Sequence, residues 1–266
     1  MASPAKKTAP EATHSSLSKA LSLMKVIAER GRNGMTLSAA AKRAEIHIAT
    51  AHRLLVALVE EDFLNFDPYT KLYHLGLMPY EIVARAGTDL EFVSLRKKLR
   101  PYLERAQAEA GGIVSLSVVS RSEALCVDVV EGHSDIRLNT LTVGSRRPLG
   151  AGAASLALLA AQDAAEREAT IAREAERYLK YGSLTADLVR TACEGLRSDG
   201  YVFNEAWIIP DIGALGIPLF STAPGAVCAV SLTNTISRLS PDRRREIAVV
   251  LSRAAQAAGF KTMDIP

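Results

Sequence analysis

The chain has 266 residues, 48% hydrophobic and 23% charged, which is globular composition for one or two domains and excludes a disordered or fibrous chain. Its three cysteines, Cys126, Cys193 and Cys228, are odd in number and far apart, so they offer neither a disulfide framework nor a paired zinc spacing. The apolar run at 149–161 is shorter than the about 20 residues a bilayer span needs, and the polar start with Lys6 and Lys7 has no secretory h-region, so a soluble protein of a reducing cytoplasm is expected, with no membrane partner.

The net charge of +3 is unevenly spread. Residues 1–80 hold ten Lys+Arg and seven Asp+Glu, which is the whole +3, and residues 17–53 hold seven against two. A short basic segment suits contact with phosphates, although a solvated helical face has the same signature.

Residues 1–16 read as a flexible tail with Pro4 and Pro10. A helical period begins at Leu17 and runs through Ala20, Leu21, Met24, Ile27 and Ala28, with Ser16 as cap and Gly31 at its end. Arg32-Asn33-Gly34 is a turn, and Thr36 caps a second helix over 37–44 with Leu37, Ala40, Ala41 and Ala44 inward. A third helix over 49–61 buries Ala51, Leu54, Leu55 and Leu58. The runs 63–66 and 71–75, separated by Asp67-Pro68-Tyr69-Thr70, predict a hairpin. Three short helices and a hairpin make a winged helix-turn-helix over 17–76, whose third helix enters the major groove of double-stranded DNA. Thr50 and Arg53 are three residues apart near its start, where a hydroxyl and a guanidinium suit phosphate and base contacts. The expected DNA-contacting set is Thr36, Lys42, Arg43, His47, Ile48, Thr50, His52, Arg53 and Lys71.

Residues 77–110 read as linker helices, broken at Gly87-Thr88 and interrupted or kinked at Pro101. Residues 111–266 form a second domain. Strands are predicted at 113–119, 124–130, 136–143, 201–204, 213–219 and 226–233, with a turn at 222–225. Helices are predicted at 150–160, 167–179 and 186–199, the last capped by Thr185 and ended by Gly200, and at 241–258 with Ser240 as cap and Pro241 first. An antiparallel sheet with helices against it is an α+β sensor-like domain.

In order and spacing these residues resemble the IclR family of bacterial transcriptional regulators from about Leu17 to Gly259. The pieces are Thr36-Leu37, Thr50-Ala51-His52-Arg53-Leu54-Leu55, Tyr73-His74-Leu75-Gly76, Arg147-Pro148-Leu149, Asp199-Gly200-Tyr201 and Ile217-Pro218-Leu219. The resemblance implies a GAF-like effector-binding domain with a curved antiparallel sheet. It also implies homodimers or dimers of dimers on palindromic operators, and a pocket for small carboxylates or aromatic acids. Carried over, that pocket comprises Gly152, Ala153, Ala154, Ser155, Asn204, Trp207, Ala214, Ser231 and Thr233. Members that bind small oxo-acids have an Asp where this chain has Asn204, commonly a Cys where it has Ala214, and a His and a Gly-Lys where it has Gly150, Ser155 and Leu156. These departures, with Trp207, Ile208 and Ile209 nearby, imply a less polar pocket and an effector larger or more aromatic than glyoxylate or pyruvate.

Other chemistries fit poorly. Gly150-Ala151-Gly152-Ala153-Ala154-Ser155 lacks the third glycine of a dinucleotide fingerprint and has no acidic residue after a second strand. His47 and His52 are five apart rather than four, so no metal site is expected, and no catalytic residue or cofactor either. The rival from another class is a sensor that acts through protein contacts without sequence-specific DNA binding.

Overall fold

The computed structural model describes residues 15–87, 91–132, 141–221 and 226–266. The expected tail (apart from Ser15 and Ser16), most of the expected strand at 136–143 and the turn at 222–225 lie outside them. The chain divides into two compact units with the boundary after Gly87.

The first unit contains α1 (Ser16–Ala28), β1 (Met35–Thr36), α2 (Leu37–Arg43), α3 (Ile48–Glu60), β2 (Leu64–Asp67), β3 (Leu72–Leu75) and α4 (Met78–Ala86). Ser15, not Ser16, caps α1, accepting from the Ser18 N–H, and Thr36 caps α2 by accepting from the Ala39 N–H. Leu23 and Ile27 of α1, Ala40 and Ala41 of α2, and Ala51 and Leu55 of α3 close one core with Met35, Leu64 and Tyr73. Leu54 and Leu58 pack at its margin rather than inside it, because the buried seam of α3 is narrow. The wing has three strands, since β1 pairs antiparallel with β3. Met35-Thr36 is too short to show a strand period, and only the pairing with Tyr73 and Leu72 reveals it. Gly76 closes the wing where a Cβ would fall 2.0 Å from the Asp62 carbonyl oxygen.

The second unit contains α5 (Glu91–Ala110), β4 (Ile113–Ser120), β5 (Glu123–Glu131), β6 (Arg146–Pro148), α6 (Ala153–Ala160), α7 (Ala164–Tyr178), α8 (Ala186–Ser198), β7 (Val202–Ile209), β8 (Ile212–Phe220), β9 (Ala226–Thr235) and α9 (Pro241–Ala257). Among the described residues, its six strands form one antiparallel sheet in the order β6-β5-β4-β9-β8-β7. Alternation along each strand splits the side chains between two cores. Val114, Leu116, Leu215, Ile217, Val230 and Leu232 pack with α5 and α9, whereas Ala124 and Ala229 pack with α6, α7 and α8.

Two elements differ from expectation. α5 runs through Pro101 as one helix, and Leu99, Leu103, Ala106 and Ala110 are buried in the sheet core rather than left in a free linker. That apolar seam offsets the roughly 3 kcal/mol an interior proline costs. Arg100 and Arg96 reinforce it by pairing with buried Asp128 of β5 at 2.8 and 3.2 Å. An unexpected strand is β6, whose Arg-Arg-Pro sequence has no strand pattern. It is an edge strand ending in a proline, set by pairing of Arg147 with Ala124 and of Arg146 with Leu125.

Candidate nucleic-acid interface and ligand cleft

Ala51 and Leu55 hold α3 to its unit, which turns the start of the helix outward. His52 and Arg53 are exposed, Ile48 is 49% exposed and Thr50 is half-buried. Lys42, His47 and Lys71 are exposed as well. Two expected contacts are already engaged. The Thr36 hydroxyl accepts from the Ala39 N–H at 3.3 Å, and the Arg43 guanidinium pairs with Glu29 of α1 at 2.6 Å. Asp67 orders the wing tip, accepting from the Tyr69 N–H at 2.8 Å and the Thr70 hydroxyl at 2.6 Å. The Thr70 bond first, then the Tyr69 bond, holds the Asp67 carboxyl below its ordinary pKa. Tyr69, 94% exposed at that tip, is absent from the expected set, and its place in the Asp-Pro-Tyr-Thr turn is its only sequence signal.

In the second unit a cleft of about 60 Å³ opens between the sheet and the start of α6. It brings together Gly152, Ala153, Ala154, Ser155, Asn204, Ala214, Ser231 and Thr233 from the expected set. Trp207 is not among the lining residues. The Asn204 side-chain oxygen accepts from the Trp207 N–H at 3.2 Å, Ala206 takes a left-handed conformation, and the register of β7 shifts. That bulge gives Ile208 and Ile209 to the cleft and sends Trp207 to a separate groove with Leu188, Tyr201 and Arg244.

Sequence reasoning missed Ser115, Ser117, Cys126, Leu141, Arg147 and Ile212, which also line the cleft. Ser115 and Ser231 share a hydrogen bond of 2.8 Å on its sheet wall. Arg147 is the important omission, because it puts a cation into a pocket expected to be less polar. Burial draws its pKa down, and its guanidinium lies 6.0 Å from the centre of the Tyr181 ring. Its position inside a strand that the sequence pattern does not show left no signal for its direction. Burial pushes the Cys126 thiol up to about 11, so this cysteine is no nucleophile near neutral pH.

A winged helix-turn-helix with an outward recognition helix, joined to an α+β domain with a cleft against its sheet, is the architecture of a DNA-binding regulator with a sensor domain. The chain belongs to the IclR family: the bacterial transcriptional regulator IclR C-terminal model matches residues 88–259 and the IclR helix-turn-helix model matches residues 16–68. It is 25% identical over 250 residues to the HTH-type transcriptional regulator BhcR of Paracoccus denitrificans, covering 92% of this chain and 86% of that protein. It is also 25% identical to the transcriptional repressor IclR of Escherichia coli, covering 95% and 92%. Among solved structures, an IclR regulator from Alicyclobacillus acidocaldarius aligns with a TM-score of 0.73 at 21% identity, covering 91% of this chain and 96% of the other. An IclR homologue from Microbacterium hydrocarbonoxydans, complexed with 4-hydroxybenzoate, aligns at 0.72 and 22%, covering 91% and 100%. The expected fold class, α+β with a curled antiparallel sheet in the C-terminal domain, is the one these relatives share, and the chain is an HTH-type transcriptional regulator. Among the described residues, no helix is long and apolar enough to cross a membrane.

Proposed function

We propose that the protein is a cytoplasmic, non-enzymatic regulator that binds a palindromic operator as a dimer or dimer of dimers and changes its operator affinity when a small aromatic or carboxylic effector fills the cleft. The carrying observation is the start of α3, where Arg53 and His52 are exposed beside half-buried Thr50 and no core contact needs their polar groups. Lys42, Lys71 and Tyr69 are exposed in the same unit, and their polar groups suit contacts to the DNA backbone. The bound 4-hydroxybenzoate of the Microbacterium homologue supports an organic acid as effector. Leu77, Tyr80 and Val83, three residues apart on or beside α4, are 71%, 73% and 46% exposed, an apolar stripe that suits a second copy. Residues 77–110 then serve as the connection through which the two domains influence each other.

Gel shifts with the DNA beside the gene test this. Operator binding is expected to exceed bulk-DNA binding and to fall steeply with salt. Arg53→Ala is expected to cost about 1–3 kcal/mol and to relax specificity at one base pair. Equal affinity for operator and bulk DNA, unchanged by Arg53→Ala, defeats the proposal and favours a sensor acting through protein contacts.

A further inference from the structure

We propose that Ile48 reads thymine: its side chain packs on the C5-methyl of a thymine in each operator half-site, close to a guanine read by Arg53. This rests on the reading of α3 as the recognition helix and adds the bases it selects and the residue that selects one of them.

The helical phase sets the geometry. Ala51 and Leu55 are buried in the core of the first unit, which sends the opposite face of α3 outward. Ile48, Ala49, His52, Arg53 and Val56 are all exposed, and at 3.6 residues per turn they fall within about 140° of arc. Ile46, Leu54 and Leu58 pack against the core, whereas Ile48 stands clear of it at 49% exposure. Ile48 is also the first residue of α3, and the first residues of a recognition helix are the ones that reach base edges.

This outward face is poor in polar readers. Arg53 is the one Lys or Arg of α3, and no acid precedes Glu60. The amino group of cytosine therefore meets no carboxylate near the helix start. Beside the His52 imidazole, the face offers a guanidinium that fits guanine O6 and N7, and aliphatic groups that fit the C5-methyl, which only thymine carries. Packing Ile48 on that methyl removes apolar surface from water on both partners. Ile48 and Arg53 are five residues apart, a rise of about 7.5 Å along the helix. At about 3.4 Å per base pair, the thymine and the guanine lie within about three base pairs of each other.

The test begins with the full chain selecting duplexes from a random-sequence pool, so no operator need be known. Selected half-sites are expected to hold a thymine and a guanine at that spacing. Each thymine is then replaced in turn by deoxyuridine, which lacks only the C5-methyl. One replacement per half-site is expected to weaken wild-type binding about three- to fivefold, the worth of one buried methyl. Ile48→Ala is expected to bind the thymine and deoxyuridine duplexes equally. Its salt dependence is expected to match wild type, because no phosphate contact is lost. Ile48→Gln, which keeps the length and the helix propensity without the apolar surface, is expected to behave alike. Circular dichroism shows whether the variants fold. Thymines that are selected but tolerate deoxyuridine mean that duplex shape is read, and they overturn the proposal. Sensitivity to deoxyuridine that survives in folded Ile48→Ala and Ile48→Gln gives the methyl contact to another residue and overturns it too. Half-sites without a thymine at that spacing do the same, and all three results leave α3 as the recognition helix. A pool in which no sequence is enriched counts against both readings.

Discussion

Ser115 Oγ and Ser231 Oγ lie 2.8 Å apart, linking the side chains of β4 and β9 at paired positions on the cleft wall. Both residues are buried, so each hydroxyl depends on the other for one of its hydrogen bonds. The one that accepts still has its own proton to offer the cleft. Ser231→Ala is expected to cost about 1–2 kcal/mol in urea unfolding, because it strands the Ser115 hydroxyl. Removing both hydroxyls is expected to cost less than the two single changes added together, with a coupling of about 0.5–1.5 kcal/mol. Strict additivity in that double-mutant cycle would mean the pair is not coupled.

Gly152 sits at φ 108° and ψ 156°, a region that only glycine occupies readily. Gly152→Ala is therefore expected to lose about 1–3 kcal/mol of stability through backbone strain. It adds a methyl 3.1 Å from Arg147 Nη1, so ligand binding is expected to weaken as well. Gly144 is the internal comparison: its φ is +89°, but a Cβ there meets nothing within 4 Å. Melting curves should rank Gly152→Ala below Gly144→Ala, and equal melting points would show that the Arg147 contact contributes nothing.

What the sequence reveals of this molecule is local. Thr36, Thr185 and Ser240-Pro241 mark helix starts because a cap is a matter of three or four residues. The outward face of α3 is legible because Ala51 and Leu55 fix the helical phase. What stays hidden is settled by pairing partners far along the chain. β1 exists through Tyr73 and Leu72, and β6 through Ala124 and Leu125. Arg147 enters the cleft only because of that second pairing. Trp207 leaves it because a bulge forms at Ala206 without a glycine to announce it. α5 continues through Pro101 because its buried seam outweighs the local cost.

The three cysteines make stability depend on alkaline pH. Burial pushes the thiol of Cys126 up to about 11, and those of Cys193 and Cys228 up to about 12, from an ordinary value near 9.0. The folded chain therefore holds these protons at pH values where the unfolded chain has released them. Their contribution is fully present below about pH 8.5 and is lost as pH rises toward 11 and 12. Each buried thiol then subtracts about 1.4 kcal/mol per pH unit across its window. Urea midpoints measured in steps from neutral pH to pH 10 are expected to hold and then fall. Replacing Cys228 by Ala should make the fall shallower, even though the cavity it leaves lowers the neutral-pH value. At pH 8 a thiol reagent is expected to react slowly with the folded protein and fully once urea unfolds it. Rapid labelling of the native chain, or a midpoint that does not move up to pH 10, would show that burial does not hold these thiols protonated.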